Sequence, residues 1–168
     1  MRFAVLGDMT NLRLFLVLLL LASSSANAKS AHAGPYVGSL GIGVMFNPSL
    51  FLLNPQIEYF SKRNFAYGIS AQVGLGSLVF LGTVTGTARW KFDIRHPNWH
   101  PSAELGLGMA FASAGYLNEF GVHMLMGGGV EYQVTPDIAV GTTLRFNFAP
   151  PLQTFFFSWP IFQGRFSL

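Results

Sequence analysis

The chain contains no cysteine. That excludes disulfides, thiolate chemistry, cysteine-ligated zinc and a lipid anchor on a terminal cysteine. Charge is nearly as scarce. Asp, Glu, Lys and Arg make up 10% of the residues, where a soluble domain devotes roughly a quarter. So few charges cannot coat a water-exposed surface. The formal net charge of +3 comes without a run of Lys or Arg, so nucleic acid is not implied as a partner. The longest apolar run, at 14–22, is too short for an ordinary membrane-spanning helix.

That run has a different reading. Arg13 precedes it and SSSANA follows, with Ala26 and Ala28 in the small-x-small pattern of a cleavage site. Residues 1–28 therefore read as a secretory signal peptide, with 31–33 (AHA) as a second cleavage site. Met9 is an alternative start to Met1. The mature part, 29–168, is expected to be one domain.

What the chain does have is apolar residues, 51% of the total, with 19 glycines, 17 phenylalanines and a mean hydropathy of +0.41. They are arranged with period two, the signature of strands. The clearest stretch is 120–148. Val122, Met124, Met126, Val130 and Tyr132 alternate there with His123, Leu125, Glu131 and Gln133. A V-T-P-D turn follows, and Ile138, Val140, Leu144, Phe146 and Phe148 then alternate with Ala139, Thr143, Arg145 and Asn147. A short Pro/Asp turn between two such runs makes a hairpin. Each run has about ten residues, enough for a tilted membrane crossing.

The same pattern predicts strands at 36–46, 51–60, 65–75, 80–92, 103–111 and 154–168. Pro55 lacks a donor and is placed at a rim or bulge. In the last strand Ser158, Pro160, Phe162, Gly164, Phe166 and Leu168 are expected outward, with Gln163 and Arg165 inward. The prediction is an all-β fold, an eight-stranded antiparallel up-and-down transmembrane barrel. A closed barrel leaves no backbone group unpaired in hydrocarbon. In a soluble barrel the sparse polar faces would meet water. In lipid they line the lumen, and the apolar faces meet acyl chains.

The inward faces then collect Glu58, Arg89, Lys91, Glu104, Glu131, Arg145 and Arg165. Buried charges need partners, so a ladder of salt bridges narrowing the lumen is expected. With both chain ends periplasmic, these charges lie toward the periplasmic half and Arg145 nearer the middle. His123 and Gln72 are read as interior hydrogen-bonding groups. Catalysis would need a nucleophile coupled to a base. Ser39 and Ser70 face inward, but no local motif joins either to His123. His96 and His100 flank a Pro-containing turn, not a metal-binding helix, and Gly127–Gly129 lacks the context of a nucleotide loop. No catalytic residue, metal site or cofactor is assigned.

With GGGVEYQVTPDIAVGTTLRFNF at 127–148 and GRFSL at 164–168, the chain resembles the small outer-membrane β-barrel domain proteins of Gram-negative bacteria. The resemblance covers nearly all of 34–168. It implies outer-membrane location, contact with outer-membrane lipids, and insertion by the barrel-assembly machinery. Gly164, Phe166 and Leu168 correspond to the assembly signal, with Leu168 replacing the usual final aromatic. A monomeric, non-enzymatic protein with a structural or envelope-maintenance role is expected. The alternatives are a narrow porin-like channel or conduit for small apolar molecules, and a lipid-modifying enzyme acting through His123.

Overall fold

The computed structural model describes residues 36–62, 64–96, 98–114 and 117–168. The expected signal peptide, Arg63 and Pro97 lie outside the described residues. Eight strands form: β1 Tyr36–Phe46, β2 Leu50–Lys62, β3 Phe65–Leu75, β4 Val79–Lys91, β5 Trp99–Ala114, β6 Leu117–Thr135, β7 Ile138–Ala149 and β8 Gln153–Ser167. Each pairs antiparallel with the next, and β8 returns to β1 to close the barrel.

Closure fixes the tilt of the wall. Partners followed around the barrel run Tyr36, Tyr59, Tyr67, Ala88, Leu105, Met126, Phe146 and Phe157, and return to β1 at Phe46. The circuit thus comes back about ten residues along β1, a stagger that for eight strands means a tilt of about 40°. All of these residues point outward. Ile57, Ile69, Leu105, Leu107, Met109 and Met126 are each more than half exposed on that wall.

The end holding Tyr36 and Leu168, here called proximal, carries a level aromatic belt. Tyr36 packs on Tyr59 at 5.1 Å between ring centroids, Phe65 on Trp90 at 6.0 Å and Trp99 on Tyr132 at 5.1 Å. Turns at this end are tied down. Asn64 Nδ2 donates to Asp93 Oδ2 at 2.9 Å, and the Gln133 amide donates to the Asn98 carbonyl at 2.8 Å.

Three details depart from a plain period-two reading. Pro55 sits inside β2, opposite Leu40, rather than at a rim or bulge. Its ring removes a donor to β3, and Asn54 Nδ2 takes that place by donating to the Ala71 carbonyl at 2.6 Å. In β8 the register shifts between Ile42/Gly43 of the neighbouring strand, leaving Ile161 as an extra residue. Ser158 and Pro160 therefore turn inward, not outward as expected, while Gln163 and Arg165 stay inside. A bulge re-aims every side chain beyond it. Finally, β5 starts at Trp99 and β6 runs to Thr135, so the proximal turns are shorter than the polar sequence there suggests.

Gly43 permits the bulge. A Cβ there would overlap the Trp159 carbonyl and lie 2.7 Å from the Ile161 amide nitrogen. Gly86, on the outer wall, has nothing nearer than the Leu107 carbonyl at 3.6 Å. Gly43→Leu is therefore expected to cost about 1–3 kcal/mol in urea unfolding of the refolded barrel in lipid. Gly86→Leu should leave the midpoint unchanged or raise it.

Candidate functional site: a filled lumen

Every inward charge predicted from the sequence enters one cluster, drawn from six of the eight strands. Arg89 is its hub. Its guanidinium lies 2.9 Å from Glu58 Oε1, 2.8 Å from Glu104 Oε2 and 2.7 Å from Glu131 Oε1. Each glutamate also holds a second base. Arg165 bridges Glu58 and Glu131, Arg145 binds Glu104, and Lys91 Nζ lies 2.8 Å from Glu131 Oε2. Arg89 is 1% exposed and Arg145 fully buried, whereas the Lys91 side chain keeps 17% exposure. Lys91 sits at the proximal mouth, its ammonium 4.9 Å from the Phe60 ring centroid.

The cluster needs amides that the charge pattern alone does not reveal. Gln56 Nε2 donates to Glu58 Oε1 at 2.8 Å while its oxygen accepts from Arg89 at 3.2 Å and Arg145 at 3.3 Å. Asn54 Oδ1 accepts from Arg145. Their inward position in β2 was legible, but their bonding depends on Arg89 two strands away and Arg145 three strands away around the closed barrel.

The three-glycine run finds its reason here. Gly127 lies directly between Glu104 of β5 and Arg145 of β7 in the ladder. A Cβ on Gly127 would stand 3.1 Å from both Glu104 Cγ and Arg145 Cγ. Its bare backbone lets the acid and the base meet across it.

Beyond the ions lies a neutral layer. His123 is fully buried. Its Nδ1 is 2.7 Å from Thr85 Oγ1 and its Nε2 is 3.1 Å from Asn147 Oδ1. Asn147 Nδ2 already faces the carbonyls of Arg145 and Phe156 and the Ser158 hydroxyl. Asn147 therefore offers its oxygen to His123, and Nε2 carries the proton while Nδ1 accepts from Thr85. Gln72 Nε2 donates to the same Asn147 oxygen at 3.0 Å. Neither Ser39 nor Ser70 bonds to the imidazole: Ser70 Oγ accepts from Asn54, and Ser39 Oγ from Gln163.

The distal part of the lumen is apolar. Met45, Leu50, Leu52, Leu81, Ala110, Ala149 and Phe156 form a buried cluster, and Phe156 stacks on His123 at 5.9 Å. Sequence reasoning missed this plug because its members sit on faces that are polar elsewhere along the same strands. Gly164, Phe166 and Leu168 lie on the other side of the wall. Phe166 covers Gly38, and the Leu168 amide donates to the Tyr36 carbonyl at 3.0 Å.

No protein-family model and no curated protein sequence matches the chain. Solved structures do. The N-terminal β-barrel domain of Pseudomonas aeruginosa OprF superposes with a TM-score of 0.66 at 13% identity, over 82% of this chain and all of that one. Neisserial surface protein A gives 0.63 at 16% identity, over 79% and 96%. A de novo designed transmembrane β-barrel gives 0.56 at 10% identity, over 83% and 100%.

Removing the hub takes one of its basic partners from each of three buried acids. Arg89→Met is expected to lower unfolding stability by about 3–5 kcal/mol, measured by urea titration. Lys91→Met, at the wetter mouth, should cost less than about 1 kcal/mol. Similar small losses for both would contradict the ranking. A closed eight-stranded barrel with a filled polar lumen and an apolar wall has the fold of the small outer-membrane β-barrels.

Proposed function

We propose that the protein is a non-enzymatic wall element of a bacterial outer membrane, with a structural or envelope-maintenance role. The observation that carries this reading is the inversion of its two faces. Apolar and aromatic side chains cover the outside while the buried positions hold Arg, Glu, His and Asn. Lipid is the solvent that suits such a surface. Side chains occupy the lumen in three successive layers, ionic, neutral polar and apolar, which favours a brace over a conduit.

On this reading residues 1–28 direct export and are removed, the proximal end faces the periplasm, and Gly164, Phe166 and Leu168 present the assembly signal. The protein works as a monomer among lipids. His123 serves as a packed hydrogen-bonding group, since its partners are Thr85 and Asn147 and not a nucleophilic serine.

The test combines location with conductance. The protein should appear in the outer-membrane fraction, migrate differently before and after boiling, and stay silent in planar bilayers. Recovery as a soluble periplasmic protein would overturn the membrane reading. Reproducible single-channel steps from a folded barrel would overturn the closed lumen. Lipid turnover that His123→Ala abolishes would establish an enzyme instead.

A further inference from the structure

The two ends of the barrel differ sharply in chemistry. The proximal turns and strand ends carry Lys62, Asp93, Arg95 and Asp137. Among the described residues of the distal end, beyond the apolar plug, Glu119 is the only charged one. Three distal turns are built instead from Asn-Pro-Ser at 47–49, Gly-Ser-Leu at 76–78 and Pro-Pro-Leu at 150–152. Leu78 is 82% exposed, and Phe46, Phe51 and Leu75 stand nearby at 43–50%. Such a tip is poorly matched to bulk water.

The height of the wall explains the mismatch. At the tilt found here each residue climbs about 2.5 Å, so about ten residues cross an apolar band about 25 Å tall. The aromatic belt marks where that band starts. Counting about ten residues up from Tyr36, Tyr59, Phe65 and Trp90 reaches Phe46, Ser49, Leu75 and Phe80. These positions adjoin or belong to the turns themselves. From Ile138 and Phe166 the same count ends at Phe148 and Phe156, two and four residues from the turn of 150–152. β5 and β6 continue farthest, to Ala114 and Leu117, about five residues or about 12 Å beyond that count. Their extension holds Asn118 and Glu119, both exposed.

We infer that the distal end is a lipid-covered surface. Three of its four turns lie in the headgroup boundary of the outward leaflet, continuous with the lipid-facing wall. The β5–β6 extension alone passes through to the aqueous side. The occupant is amphipathic lipid, because Phe51, Leu75 and Leu78 continue the apolar wall, the polar groups in these turns are uncharged, and no charge is placed there to recruit a protein. This inference rests on the membrane reading above and adds that the barrel presents almost nothing to the medium on its distal side.

The absence of cysteine makes the test direct. Single variants Ser49→Cys, Leu78→Cys, Asn118→Cys and Leu107→Cys, refolded into phosphatidylethanolamine/phosphatidylglycerol vesicles, are reacted with a charged, membrane-impermeant maleimide. Sample orientation is made uniform by opening the vesicles to reagent on both faces. Asn118→Cys should label readily, and Ser49→Cys and Leu78→Cys at least about tenfold more slowly. All four should label equally once unfolded in denaturant. Leu107, at mid-wall, separates the two levels of the claim. If Leu107→Cys also labels readily, the membrane reading itself fails. If Leu107→Cys is protected but Ser49→Cys and Leu78→Cys label as fast as Asn118→Cys, only the lipid-covered tip is overturned.

Discussion

A guanidinium surrounded by three carboxylates, inside an apolar wall, is the constraint on which the rest of this barrel depends. Arg89 cannot be left alone there, and neither can Glu58, Glu104 or Glu131, because an unpaired charge in a low-dielectric interior costs several kcal/mol. Their contacts at 2.7–2.9 Å place β2, β4, β5 and β6 in fixed relation across the lumen. Arg145 and Arg165 extend the same brace to β7 and β8. Backbone ladders join each strand to its neighbours. Apart from Arg89 with Glu104, the ion pairs join strands that are not neighbours.

Other features follow from that requirement. Gly127 is bare so that Glu104 and Arg145 can meet over it, and Asn54 and Gln56 supply the acceptors that the guanidinium groups still need. Asn54 serves twice, since its amide also satisfies the carbonyl that Pro55 leaves without a donor. Above the ions, His123 and Asn147 step the polarity down to the apolar plug around Phe156. The lumen thus changes from charged to neutral to apolar along its length, and each layer satisfies the one beneath it.

Much of this was legible in the sequence. Period two over strands of about ten residues separates the two faces of each strand, and scarcity of charge indicates that the apolar face is the outward one. That is why the seven charged residues could be assigned to one lumen. What escaped reading was set by long-range geometry. The bulge at Ile161 inverted Ser158 and Pro160, because an inserted residue leaves no mark in an alternation that also contains proline. The apolar plug was missed because Met45, Leu81 and Phe156 look, residue by residue, like ordinary wall. The partners of Arg89 depend on the stagger of the closed barrel, which no single strand encodes.

The fold itself does not settle a biological task, since the same architecture is shared with a designed barrel as well as natural ones. The interior of this chain is braced by ions and layered from charged to apolar. The most direct measurement of that brace is a double-mutant cycle on Arg89→Met and Glu104→Gln, read from urea unfolding in lipid. The pair is expected to be coupled by about 2 kcal/mol or more, in the range seen for residues sharing one buried network. Additive effects, with coupling below about 0.5 kcal/mol, would contradict a lumen held together by its ions.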